Sequence, residues 1–278
     1  MGSIRKYILS VLTVFAVLMS CTWGYSEDHP QRIISLSPVV TEEIYLLGAE
    51  DRLIGITTYC IRPEAAGSKD KVGTVMKADI ERIVMLKPDI VLATSLTDIR
   101  QMRQLEGLGI RVETFPDATD LETICAGFIR LADILGKNQE AENIVRRVRE
   151  RVEELKRRTA NLPKKKVFVQ IGAKPLFAAT KKSFVNDFIT FAGGINLTED
   201  LVSGLYSREK VIESDPDIIV ITGMGIEGEE EKKVWMKYGT IKAVRNNAIY
   251  TVEPYGLCSP TPVSFVESLD NMIRMLHG

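Results

Sequence analysis

Histidine, the commonest general base and nitrogen ligand for metals, occurs only twice among the 278 residues, at His29 and His277. The two stand at opposite ends of the chain, so no cluster of His with carboxylates, the donor set of zinc and manganese sites, can assemble. A bare metal-ion binding protein is disfavoured on that ground. The four cysteines are Cys21, Cys60, Cys125 and Cys258. Cys21 falls in an export signal, which leaves an odd number and at least one thiol without a partner. Cys125 lies on the apolar face of a predicted helix and reads as core. Cys60 and Cys258 fall in loops, one in each half of the chain. Three readings of that pair stay open: unreactive buried thiols, a disulfide, or soft ligands to a metal carried in by a bound molecule. No intrinsic cofactor is expected.

The stretch 223–228 reads GMGIEG and fits G-x-G-x-x-G behind a strand, the setting of a dinucleotide fingerprint. Glu229, Glu230 and Glu231 follow where a helix N-terminus would receive the pyrophosphate, and carboxylates there repel it. The stretch therefore reads as a flexible acidic loop. No P-loop and no G-x-S-x-G elbow is present, and no internal His offers a general base. A non-catalytic receptor is favoured, with an NAD(P)-type α/β enzyme using Gly223 to Gly228 as the alternative.

With 45% hydrophobic and 26% charged residues, the chain has an ordinary globular composition that fits one large domain or two small ones. A net charge of -1 gives no general pull toward nucleic acid or an anionic membrane. Arg5 and Lys6 precede an uncharged run, YILSVLTVFAVLMS over 7–20, which has the form of a signal peptide. It is shorter than the roughly 20 apolar residues that span a bilayer. Leu18-Met19-Ser20-Cys21 resembles a bacterial lipobox, which makes Cys21 the lipidated first residue of the mature protein; the other reading is plain secretion. Either way the protein is exported, with 1–21 as signal and 22–31 as linker.

The rest alternates strands and helices, which predicts an α/β fold with mainly parallel sheets covered on both faces. Thr41, Glu42 and Glu43 read as the cap and first turn of the first helix, and 235–244 as a late one. In the middle, 138–160 places Ala141, Ile144, Val145, Val148, Val152 and Leu155 at helical spacing among charged residues. At 1.5 Å per residue that helix runs about 34 Å. The sequences on either side of it repeat: ERIVMLKPDIVLA (81–93) aligns without gaps on EKVIESDPDIIVI (209–221). Two lobes, 32–136 and 164–278, joined by a helix over 137–163, are expected, with a ligand cleft between them. Loops after the strands carry Ser37, Pro38, Tyr59, Cys60, Arg62, Thr74, Val75, Met76, Lys77, Lys174, Phe177, Tyr206, Tyr255 and Cys258. Their aromatic faces suit a large flat ligand.

These elements resemble the helical-linker (class III) substrate-binding proteins of bacterial ABC importers, which serve cobalamin, ferric siderophores and haem. The likeness rests on RIISLSP (32–38), TEEIYLLGA (41–49), VGTVMKADIERIVMLKPDIVLA (72–93), KKVFVQIG (165–172) and YSREKVIESDPDIIVITG (206–223). It implies two α/β lobes, each with a mainly parallel central sheet flanked by helices, bridged by one long helix. It implies a metal-chelate cargo, corrinoid or ferric complex, held between the lobes of a monomer. It also implies that one Glu per lobe, Glu81 in DIERI and Glu209 in SREKV, meets Arg residues of the permease. The helix dipole alone favours a Glu two residues after a cap; equivalent placement in both halves is what favours docking. Cobalamin-binding members tend to carry Trp near Val75, so the expected cargo is the broader class.

Overall fold

The computed structural model of the chain describes residues 29–222 and 228–278, except the Pro254 side chain. The first half contains β1 (Ile33–Ser35), α1 (Pro38–Leu46), β2 (Leu53–Ile56), β3 (Asp70–Lys71), α2 (Ile80–Leu86), β4 (Ile90–Thr94), α3 (Ile99–Gly107), β5 (Arg111–Phe115) and α4 (Leu121–Leu135). Its strands form one wholly parallel sheet in the order β3-β2-β1-β4-β5. Ile33, Ile34 and Ile90 to Ala93 are buried on both faces, as a sheet covered by helices requires.

Helix α5 (Asn138–Thr159) leads into β6 (Lys166–Ala173), β7 (Leu176–Ala178), α6 (Val185–Phe191), β8 (Ile195–Asn196), α7 (Arg208–Ser214) and β9 (Ile218–Thr222). After these come α8 (Gly228–Trp235), α9 (Lys242–Arg245), β10 (Ile249–Val252), α10 (Pro254–Cys258) and α11 (Pro262–His277). The second sheet runs β10-β9-β6-β7, with β8 also on β6, and is parallel except for the β6–β7 pair. Two lobes with mainly parallel sheets are thus bridged by one long helix.

The 22 residues of α5 span about 33 Å. Its stripe of Ala141, Val145, Val148, Val152 and Leu155 is buried. It joins a single cluster that takes in Ile33 and Leu92 of the first sheet and Val167 and Val220 of the second. Each Val or Leu so buried contributes about 1.5–3 kcal/mol. The lobes therefore share a core on the helix side. Separate clusters fill the other face of each sheet, around Ile34, Leu36 and Val91 in one and around Phe168, Ile219 and Trp235 in the other.

The repeat seen in the sequence falls on α2–β4 and α7–β9. Asp79 caps α2 by accepting from the Arg82 N–H, and Ser207 caps α7 by accepting from the Lys210 N–H. Both helices end on a left-handed residue, Lys87 at φ 47° and Asp215 at φ 46°. Asp89 then accepts from the Arg32 N–H at 2.9 Å and Asp217 from the Lys166 N–H at 2.8 Å. In each lobe the post-proline aspartate pins the start of a central strand.

Several boundaries differ from the sequence reading. Helix α1 starts at Pro38 with Ser37 as its cap, because proline at the first helical position has no N–H to lose; Thr41 is interior and buried. Glu229 to Glu231 form the first turn of α8, where the dipole favours carboxylates, so they are not a loop. The helix expected over 235–244 is split, with α8 ending at Trp235 and α9 starting at Lys242. The loop expected to carry Lys174 and Phe177 contains β7, paired back on β6. Cys21 and the whole signal lie outside the described residues, as do Gly223 to Glu227.

Candidate functional site

Ligands of open parallel sheets bind beyond the carboxyl ends of the strands, and here both lobes present such loops. After β3 the chain makes a tight turn in which the Thr74 N–H donates to the Lys77 carbonyl at 2.8 Å. Gly73, at φ +100°, is required there, because a Cβ would lie 2.5 Å from the Lys77 oxygen. Gln101 on α3 clamps the turn through both backbone groups of Ala78, at 2.9 and 2.8 Å. The result displays Met76, 72% exposed, beside partly exposed Thr74 and Val75. Tyr59, on the turn after β2, is 60% exposed. In the second lobe Phe177 is exposed on β7, bridges to Leu205, and has Gly204 beneath its ring, where any Cβ would clash.

The two sets of loops meet. The Tyr255 hydroxyl of α10 donates to the Tyr59 carbonyl across the lobes. The Arg62 guanidinium lies 5.4 Å from the Tyr255 ring centroid. Burial raises the Tyr255 phenol above its usual range. Arg62 also sits 3.9 Å from Glu42 on α1. Burial pushes the Glu42 carboxyl up, Arg62 pulls it down, and Glu267 of the second lobe raises it further. Its neighbour Glu43 is fully enclosed, and burial raises it to about 8. Glu42 and Glu267 thus bring two carboxyls near each other from different lobes. A cavity of about 520 Å³ opens beside Arg62, lined from the second lobe by Glu253, Leu257, Glu267, Asn271 and Arg274. Val252 and Glu253, at the carboxyl end of β10, line it, and none of Tyr59, Met76 or Phe177 does.

Other expected ligand residues are placed differently. Ser37 is buried as the cap of α1, and Pro38 is partly exposed next to it. Cys60 is fully buried, its Sγ 3.2 Å from the Thr41 hydroxyl and 3.1 Å from that of Thr57. Its thiol braces the loop and presents no surface to a ligand. Cys258 is partly buried next to Thr222, and burial raises its thiol. Cys60, Cys125 and Cys258 are all free thiols. Tyr206 leans onto the second-lobe core, 6.2 Å from the Phe168 ring.

The sequence reading missed the loop after β4. Leu96 is 64% exposed there, with Ile99 exposed at the start of α3 and Ile61 beside Tyr59. The Thr94 and Thr97 hydroxyls beside it are buried with no hydrogen-bond partner among the described residues. The available signal was an apolar residue in a polar loop directly after a buried strand. Among the described residues no group of three or more His, Cys, Asp and Glu is placed to hold a metal ion.

The carboxylates expected to dock occupy equivalent positions. Glu81 and Glu209 are both the second residue of a seven-residue helix, and both are exposed. Hydrogen bonds from its own N–H and from Ser207 hold Glu209 below the usual carboxylate range.

Residues 33–255 match the periplasmic binding protein family, which is four-fifths of the chain. The chain belongs to that family. A vitamin B12-binding protein of Yersinia pseudotuberculosis is 29% identical to this binding protein over 235 residues, 84% of each chain. A periplasmic haem-binding protein of Pseudomonas aeruginosa superposes with a TM-score of 0.75 at 26% identity, covering 88% of this chain and 91% of that one. A possible iron-binding, periplasmic solute-binding protein of Staphylococcus epidermidis gives 0.79 at 24% identity, covering 90% and 100%. No helix among the described residues is long and apolar enough to cross a membrane.

Proposed function

We propose that this binding protein is the extracytoplasmic solute-binding component of an ABC importer. It captures a metal chelate between its lobes and hands it to the permease through Glu81 and Glu209. The observation that carries this reading is a set of exposed apolar side chains on loops and edges of both lobes: Tyr59, Met76 and Leu96 in the first, Phe177 and Leu205 in the second. Exposed aromatic and aliphatic side chains at strand ends bury a large apolar ligand at little entropic cost. A chelate brings its own metal coordination, which fits a cleft whose described residues supply no donor cluster.

Within that class the reading favours a corrinoid, supported by the vitamin B12-binding relatives. Lipidation at Cys21 would keep the protein at the membrane surface. In a thermal-shift panel of cobalamin, cobinamide, haem and ferric siderophores, a corrinoid is expected to raise the melting temperature most, since a ligand held by the folded state alone stabilises it by mass action. A shift with a free divalent cation and with no chelate would overturn the reading.

A further inference from the structure

The end of the second lobe where α5 terminates carries a charge that the whole-chain balance conceals. Residues 156–166, KRRTANLPKKK, include six cations and no acid. The helix dipole accounts for Lys156, Arg157 and Arg158 in the last turn of α5. It does not account for Lys164, Lys165 and Lys166 beyond the helix. Nearby carboxylates are already engaged. Glu153 holds Lys156 at 2.6 Å, Asp270 lies 3.9 Å from Arg158 and also pairs with Arg274, and Asp217 lies 3.7 Å from Lys242. Arg157, Lys164 and Lys165 have no hydrogen-bond or ion-pair partner for their side chains among the described residues. Two aliphatic side chains stand exposed among them, Leu162 and Ile195. The Ile195 N–H donates to the Lys165 carbonyl at 2.9 Å, which fixes the isoleucine beside the lysines.

We propose that this surface docks on an anionic membrane, with phospholipid headgroups meeting Arg157, Lys164 and Lys165 and with Leu162 and Ile195 entering the headgroup layer. Surplus cations set around exposed aliphatic groups are the chemistry of interfacial binding. A free phosphate would use the cations and leave the apolar pair without purpose. The site rests on the extracytoplasmic placement proposed above. It lies at the far end of α5, away from the strand-end loops, so cargo and membrane can be held together.

The test uses protein recovered from the extracytoplasmic fraction of expressing cells, with Cys21→Ser to remove any acyl chain. It is floated with vesicles of phosphatidylcholine alone or with added phosphatidylglycerol. Binding is expected only to the anionic vesicles and is expected to weaken as salt rises past about 0.1 M. Arg157→Gln/Lys164→Gln/Lys165→Gln is expected to lower the partition coefficient roughly 100-fold, while corrinoid affinity and melting temperature stay unchanged. Leu162→Ser is expected to weaken it less, without altering its salt dependence. Equal binding to neutral vesicles, unchanged binding by the triple variant, or displacement by millimolar inorganic phosphate would each overturn the proposal. Loss of corrinoid binding in the unmodified protein would instead count against the cargo reading and leave this one standing.

Discussion

Glu43 shows what a single buried side chain contributes. Its carboxyl is enclosed, and burial raises it from 4.5 to about 8. A group whose folded value lies above its unfolded one binds its proton more tightly when folded. Its stabilising effect is complete below about pH 4.5 and is lost as pH rises toward 8. Over that window the loss amounts to at most roughly 5 kcal/mol. Glu43→Gln, neutral at every pH, is expected to remove this part of the pH dependence and to raise the denaturation midpoint at pH 8. Denaturant titrations of both proteins at pH 5 and pH 8 measure it, and parallel pH profiles would contradict the assignment. At this scale the sequence was legible where a residue's role depends on near neighbours, as with Asp79 and Ser207 capping short helices. It was not legible where the deciding neighbour is distant. Cys60 stood in a loop where a buried thiol, a disulfide and a soft ligand were all open readings, and Thr41, nineteen positions earlier, covers its sulfur. Leu96 was passed over although it stands in a polar loop directly after a buried strand, where it is 64% exposed.

Among the elements, α2 and α7 carry the clearest correspondence between the halves. They share length, cap position, left-handed ending and the post-proline aspartate. Their repeat was readable because it is local and ungapped. The start of α1 was less readable, since proline reads as a break in sequence and serves as the first helical residue in the structure. The acidic run at Glu229 was misplaced for a similar reason. Three carboxylates looked like a solvated loop, whereas a helix N-terminus favours them and Arg208 takes Glu231 into a buried ion pair. Exposed carboxylates on equivalent helices set orientation and encounter rate more than affinity. Glu81→Lys/Glu209→Lys is therefore expected to leave cargo affinity unchanged in solution and to abolish uptake in cells that depend on the importer. Undiminished uptake by the double variant would remove docking from these positions.

For the whole molecule, the common core along α5 makes the two lobes one body on the helix side. The long helix and the alternation of strands and helices were legible because their periodicities are strong over many residues. Which loop side chains face each other across the lobes was not, since that depends on how two separately folded sheets are set by one helix. The proposed function requires side chains of both lobes to hold one ligand. Calorimetric titration with a corrinoid tests this most directly, in the unmodified protein and in Leu96→Ala and Phe177→Ala, one variant per lobe. One site per chain is expected, with each variant weakening binding by about tenfold or more and neither changing the melting temperature of the free protein. Binding that survives unchanged in both variants, or a corrinoid that does not bind at all, would contradict it.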